Sequence, residues 1–245
     1  LSVEPKLLVL GMAAGVPVPS VRCVVAENDG AGFVMEFVEG ETIPRKILRD
    51  DTYAKARTGL AAQCGAVLAG IHGISPTSIP ELKPQQAAAQ VAQYREIYDS
   101  LDDPRPVFEL AFRWLNDHLP CESTPTVVHG DFRNGNLIVG LDGLRAVLDW
   151  ELAHVGDRYE DFGWICVRSW RFGRMDLPVG GFGSREDLYA AYEVAGGVPV
   201  DPRRVHFWEV FGTLKWGVIC MMMFHAWSSG LDRSVERATI GRRTS

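Results

Sequence analysis

Between Thr126 and Asp157 the chain reads TVVHGDFRNGNLIVGLDGLRAVLDWELAHVGD. Three short apolar runs, 126–128, 137–139 and 145–148, have the composition of strands, and Leu-Asp-Gly at 141–143 reads as a hairpin turn between the last two. Polar side chains stand where these strands end. Asp131 leaves the first through a glycine, Asn136 follows five residues later, and Asp149 closes the hairpin. A polar group at the end of a buried strand costs free energy unless something meets it. The fold must therefore wrap a small β cluster while keeping one edge of it open to a cleft.

The rest of the sequence supplies the wrapping. Residues 4–15 have apolar positions at helical spacing and stop at Gly15, a common residue just past a helix end. Val-Pro-Val-Pro then forces an extended path into two strands, VRCVVAE and GFVMEFVEG, around a turn at Asn28-Asp29-Gly30. Helical patterning follows at 51–74, with Asp51 as N-cap, and again at 84–100 and 104–119. Beyond Asp157, Ser184 and Asp187 form a capping box, and Asp201-Pro202 opens a long apolar helix. The stretch 216–227 within it is shorter than the ~20 residues a membrane span needs. It reads as buried, with Met221, Met222 and Met223 as core filler. A length of 245 residues suits one large domain or two lobes. The expected division is 1–40, holding a helix, a hairpin and a connecting strand, and 41–245, a mainly helical unit carrying the β cluster.

Composition removes some classes of function. A net charge of −6 leaves no basic footprint for nucleic acid. The five cysteines are an odd, widely spaced set without a CxxC pair, which argues against a disulfide framework and a zinc site and for reduced thiols in the cytoplasm. GGFGSR at 180–185 is glycine-rich but lacks the P-loop spacing and its Lys-Ser/Thr ending, so a loop capped by Ser184 is expected there.

What remains is the chemistry of three polar groups. Asp131 can accept a proton from a hydroxyl, while Asn136 offers a neutral oxygen and Asp149 a charged one to a hard cation such as Mg²⁺. One base and two metal ligands form a minimal set for phosphoryl transfer.

HGDFRNGN resembles the kinase catalytic loop H-x-D-x-x-x-x-N at His129, Asp131 and Asn136. LDWE resembles the metal-binding D-F-G segment, with Trp150 and Glu151 in place of Phe and Gly. Together with GDRYEDFGW at 156–164, this form is similar to the aminoglycoside phosphotransferase and choline-kinase-like family, including a branch fused to acyl-CoA dehydrogenases; Arg158 stands where that family usually has proline. The resemblance implies an α+β, protein-kinase-like two-lobe fold. Its N-lobe is incomplete in this chain, and its large, mainly helical C-lobe holds a small inserted β cluster. The resemblance also implies ATP and Mg²⁺ as cofactors and a small-molecule hydroxyl as acceptor. It makes Asp131 the catalytic base or hydroxyl positioner, His129 the brace of the loop, and Asn136 and Asp149 the metal ligands. Main-chain groups of Glu36, Phe37 and Val38 would form the hinge that meets adenine, and Glu4 would pair with a phosphate-binding lysine. Lys6 shares a helix with Glu4 and is not that lysine, so the lysine and its Gly-rich loop are expected outside these residues, in a longer protein.

Several of these residues also have plainer readings. His129, Asp157 and Asp161 can simply hold the loop together, with Asp161 capping the next helix. Arg133, in the catalytic loop, can contact phosphate or substrate or form a salt bridge within the loop. His72 reads as structural, and Glu4 as a favourable charge in a first helical turn. Arg168, Arg171 and Arg174 recur every third residue beside Trp164 and Trp170. They form either a solvated face with aromatic anchors or a pocket for an anionic or CoA-like substrate. Three arginines disfavour a polycationic aminoglycoside. The expected activity is thus an ATP- and Mg²⁺-dependent kinase acting on a small-molecule hydroxyl, with an anionic or CoA-linked acceptor. The alternatives are a pseudokinase-like nucleotide or metabolite binder, an aminoglycoside antibiotic kinase, and a metal-dependent phosphohydrolase, for which the sequence offers no aspartyl nucleophile motif or His-rich dinuclear pattern. Neither a nucleic-acid nor a membrane partner is expected, and the oligomeric state is open.

Overall fold

The computed structural model describes residues 3–27, 30–121 and 124–242. Helix α1 (Glu4–Ala13) carries Pro5 in its first turn and buries Leu7, Leu8 and Gly11. An antiparallel hairpin of β1 (Val21–Glu27) and β2 (Gly30–Met35) follows, with Val24 opposite Phe33 and Val25 opposite Gly32. Asn28 and Asp29 of the expected turn lie outside the described residues. The second strand was expected to continue to Gly40, but it ends at Met35. Its last rung is Glu36 N–H donating to Ser20 O at 2.8 Å; the partner chain then reaches Pro19, which has no N–H to offer. Extended chain leads on to Glu41, which exchanges backbone hydrogen bonds with Val139 at 2.9 and 3.0 Å.

Helix α2 (Pro44–Arg49) and a 3-10 turn at Asp51–Tyr53 lead into α3 (Ala54–His72). The cap is Asp50 and not Asp51: Asp50 is extended and its carboxylate accepts from Thr52 N–H at 2.9 Å, whereas Asp51 is already inside the turn. Helix α3 buries Leu60, Cys64, Leu68 and Ile71, one stripe at helical spacing. Helices α4 (Ala87–Ser100) and α5 (Pro106–Asp117) begin later than the sequence pattern suggests. Gln85 N–H is drawn into a bond with Val155 O at 2.8 Å, and Arg105, preceding Pro106, is held extended.

The β cluster consists of β3 (Thr126–Val128), β4 (Leu137–Gly140), β5 (Gly143–Val147) and β6 (His154–Gly156). Strands β4 and β5 form the expected hairpin, with β5 starting two residues before the predicted 145–148 run. Strand β3 pairs antiparallel with β6, which is too short and too polar for its pattern to announce it. Helices α6 (Tyr159–Cys166), α7 (Arg185–Val194), α8 (Pro202–Ser228) and α9 (Val235–Gly241) complete the chain. The two caps expected here are present: Ser184 Oγ accepts from Asp187 N–H at 3.1 Å, and Asp201 from Arg203 N–H at 2.9 Å.

Among the described helices, α8 alone is long and apolar enough to cross a membrane. In this fold it buries Phe207, Trp208, Phe211, Leu214, Val218 and Met221 against the other helices. The expectation that it is buried through Trp227 fails at its end. Met222, Phe224 and Trp227 are exposed and Met223 is half-buried, because past Met221 the helix outruns the core and meets α9.

Helix α6 is pressed onto α8 at Gly163, where a methyl group would stand 2.4 Å from the Trp208 carbonyl carbon. Gly163→Ala is therefore expected to push the helices apart and cost about 1–3 kcal/mol by overpacking. A urea-unfolding midpoint equal to that of the unsubstituted protein would contradict this packing.

Candidate functional site

The site is assembled around a buried carboxylate. Asp161, fully buried in α6, accepts from His129 N–H at 2.9 Å, Gly130 N–H at 3.0 Å and His72 Nε2 at 3.1 Å. Burial raises the pKa of such a carboxyl, but the His72 hydrogen bond and charge, with the His129 contacts, outweigh it and hold Asp161 below the usual range. Asp161 does not cap the helix, contrary to the sequence expectation. Arg158 occupies the N-cap position, and Asp161, two residues into α6, turns its carboxylate onto the loop. His72 is structural as expected, its other ring nitrogen lying 3.2 Å from the Tyr192 hydroxyl. Gly130 needs its glycine: φ is +79°, and a Cβ would stand 2.4 Å from Leu152 O.

His129 is buried, and that burial pushes its pKa down. Its Nδ1 accepts from Asp131 N–H at 3.2 Å, so Nε2 carries the proton and donates to Leu148 O at 3.1 Å. The neutral ring thereby ties the loop to the residue preceding Asp149. It also packs on Trp150, at 4.8 Å between centroids. Asp157 accepts from Arg204 Nη2 at 2.7 Å and Trp208 Nε1 at 3.0 Å, which anchors α8.

Asp131 is held by three donors. Trp164 Nε1 donates to Oδ1 at 2.6 Å, Asn136 Nδ2 to Oδ2 at 2.6 Å, and Arg133 Nε spans both oxygens at 3.0 and 3.1 Å. Of the two readings of Arg133, the structure shows the salt bridge within the loop, with its guanidinium 4.8 Å above the Trp170 ring. Trp164 was noted in the sequence only as an aromatic neighbour of arginines. The available signal was its indole N–H, which needs an acceptor once buried.

The Asn136 amide also donates to Asp131 O at 3.0 Å, leaving Oδ1 as its acceptor atom. Asp149 is exposed, with φ +68°, a left-handed conformation uncommon outside glycine. Glu4 accepts from Trp150 N–H at 3.4 Å. Burial, and then the charges of Asp149 and Glu151, raise its pKa against that hydrogen bond. One neutral oxygen, one carboxylate and a local surplus of negative charge suit a hard cation such as Mg²⁺. Among the described residues no group of three or more His, Cys, Asp or Glu side chains is arranged to hold a metal by itself.

On the other side of Asp131 lies a cavity of about 310 Å³, whose walls include Tyr94, His154, Trp164, Trp170, Lys215 and Trp216. Glu36, Phe37 and Val38 are set apart from it. The Glu36 carboxylate accepts from Ser20 Oγ at 2.5 Å, Phe37 is 88% exposed, and no backbone hydrogen bond among the described residues involves Phe37 or Val38. The chain that follows them is tied to the β cluster by the Glu41–Val139 bridge and by Arg145 Nη1, which donates to Glu39 O at 3.0 Å.

The three arginines do not build an anion pocket. Arg171 is buried and donates to Cys166 O and Glu209, Arg174 lies 3.7 Å from Asp176, and Arg168 is exposed. Arg168 and Arg171 occupy a short 3-10 turn that reverses at the left-handed Phe172, and Arg174 lies beyond the reversal, so a spacing of three does not become one face. The glycine-rich 180–185 segment is a supporting loop: Asn134 Nδ2 donates to Gly180 O at 2.9 Å.

A family model described as Phosphotransferase enzyme family (APH) matches residues 7–208. Among curated proteins, the chain is similar to Acyl-CoA dehydrogenase family member 10 of Mus musculus, 29% identical over 208 residues, covering 76% of this chain and 19% of that protein. It is also similar to the Arabidopsis thaliana protein named Probable acyl-CoA dehydrogenase IBR3, 26% identical over 263 aligned positions, covering 95% of this chain and 32% of that protein. The chain thus spans less than a third of the length of these curated relatives. Among solved structures, a Ralstonia eutropha JMP134 protein given the provisional description aminoglycoside phosphotransferase superposes with a TM-score of 0.78 at 24% identity, over 99% of this chain and 79% of that one. A Streptomyces rimosus aminoglycoside phosphotransferase, solved in complex with ADP and streptomycin, superposes with a TM-score of 0.61 at 16% identity, over 87% of this chain and 81% of that one. These likenesses show the kinase-like α+β fold anticipated from the sequence.

The folded-state pKa of Asp161 lies below its unfolded value, so its stabilising contribution is present above the unfolded carboxylate range and is lost as pH falls through the folded value. Asp161→Asn is expected to cost roughly 1.5–3 kcal/mol at about pH 7. It should also flatten the acid limb of a stability–pH curve measured by urea unfolding. An unchanged acid limb would show that the carboxylate does not carry the loop.

Proposed function

This chain belongs to the phosphotransferase enzyme family, and we propose that it is an ATP- and Mg²⁺-dependent kinase that phosphorylates a hydroxyl of a small molecule. The observation that carries this reading is Asp131, oriented by Trp164, Arg133 and Asn136 at the mouth of a cavity. The ADP bound by the Streptomyces rimosus enzyme supports a nucleotide as donor.

Asp131 receives the acceptor hydroxyl and aligns it toward the phosphoryl group. Three donors fix the orientation of this carboxylate, which suits a loose transition state where alignment outweighs early deprotonation. Asn136 Oδ1 and Asp149 would hold Mg²⁺, which when bound neutralises charge on the phosphate oxygens. His129 keeps the two segments in register, and Arg133 keeps Asp131 oriented. Glu36, Phe37 and Val38 would offer main-chain groups to adenine, and Glu4 would pair with a phosphate-binding lysine. In this reading 1–40 belongs to the N-lobe, 41–245 forms the C-lobe, and the reaction takes place in the cytoplasm. The names of the curated relatives favour an anionic or CoA-linked acceptor over an aminoglycoside.

The test is nucleotide consumption by the full-length protein with simple alcohols, hydroxyacyl-CoAs and aminoglycosides as acceptors. With the best acceptor, Asp131→Asn is expected to lower kcat by about 10²–10⁴. Activity near that of the unsubstituted protein would remove Asp131 from the chemistry. Tight nucleotide binding with no turnover in any acceptor class would replace the kinase with a pseudokinase-like binder.

A further inference from the structure

Lys215 lies midway along α8 with its side chain only 12% exposed, on the wall of the cavity that Asp131 opens into. Its ammonium sits 4.9 Å from the Trp164 ring centroid and 5.9 Å from that of Tyr94. Glu160 Oε1 is 3.9 Å away, outside hydrogen-bond reach, and is itself buried without a hydrogen-bond partner among the described residues.

The other charges around this cavity are matched. Arg133 pairs with Asp131. His154 presents Nδ1 to Leu152 O and Nε2 to Glu160 Oε2, each at 3.0 Å. Both neighbours are acceptors, and although burial lowers the His154 pKa, the charge and hydrogen bond of Glu160 outweigh it and raise it. Gln90 Nε2 donates to the same Glu160 oxygen at 2.8 Å. Lys215 thus shares Glu160 with His154 and reaches it only at 3.9 Å, on a wall that combines Tyr94, Trp164, Trp170 and Trp216 with Gln85, Gln90 and Gln93. Among the described lining residues Asp131 is the only carboxylate. A mostly buried ammonium facing a cavity is costly unless an anion meets it there.

Resting on the reading of Asp131 as the group that meets the acceptor hydroxyl, we propose that Lys215 sets acceptor specificity. The acceptor is then a hydroxy compound with an apolar or aromatic body and an anionic group, carboxylate or phosphate, at the Lys215 end. The Lys215 charge at that end disfavours a polycation carrying an equivalent hydroxyl.

The test needs no turnover. The full-length protein is titrated with 3-phenyllactate, mandelate and 3-hydroxyoctanoate, each beside its methyl ester, and with phenyl phosphate beside phenol, following the cavity tryptophans by fluorescence. An anion is expected to bind about 10- to 100-fold more tightly than its neutral partner, the worth of a charge-assisted hydrogen bond. Lys215→Met and Lys215→Gln should abolish that preference and Lys215→Arg retain it, with circular dichroism confirming the fold of each. Comparing the carboxylate and phosphate arms identifies the preferred anion. Equal binding of anions and neutral partners, no binding of any anion, or a preference that survives Lys215→Met would overturn the proposal. Anion preference without phosphorylation of any acceptor would count against the kinase reading alone, and phosphorylation without charge preference against this one alone.

Discussion

The Asp161 carboxylate accepts from two consecutive backbone amides, those of His129 and Gly130, and from the His72 ring, in a position sealed from solvent. Those contacts join three elements that are distant in sequence: α3 through His72, α6 through Asp161 itself, and the loop leaving β3. Gly163 then seats α6 on α8. One helical step along the same face of α6, Trp164 delivers its indole N–H to Asp131. A single short helix thus holds the backbone of the loop with one residue and the carboxylate of the loop with another.

The loop separates two environments. On one side, Glu4 and the exposed, left-handed Asp149 concentrate negative charge, and Asn136 turns its amide to Asp131. A non-glycine residue in that conformation stores strain, and such strain concentrates at sites where orientation matters. On the other side, aromatic rings, glutamine side chains and the Lys215 ammonium line a cavity. Asp131 faces both and is tied to each, through Asn136 on the first side and Trp164 on the second. This polarity is what a transfer between an anion–metal complex and an organic acceptor would require.

How much of this was legible in the sequence follows from how far apart the interacting residues lie. His129, Asp131, Asn136 and Asp149 fall within one 21-residue stretch, so their spacing and strand context could be read directly. The caps at Ser184 and Asp201 were legible for the same reason, since a cap involves neighbours in the chain. The Asp50 cap was missed by one residue, because a 3-10 turn intervenes before α3. Strand β6 has three residues and exists through its pairing with β3, which no local pattern encodes. Trp164 and Lys215 reach the site from α6 and α8, and only the tertiary fold brings them to Asp131. The arginine repeat misled in the opposite way: regular spacing suggested a shared face, and a reversing turn dispersed it.

The central claim is that Asn136 and Asp149 together hold a metal beside Asp131. Crystals of the full-length protein grown with Mn²⁺ and a non-hydrolysable ATP analogue, measured at the manganese absorption edge, address it directly. The account predicts an anomalous peak about 2.1 Å from both Asn136 Oδ1 and an Asp149 carboxylate oxygen, the distance a small hard divalent cation requires. Nucleotide bound with the metal peak elsewhere, or with neither side chain within coordinating distance, would contradict it.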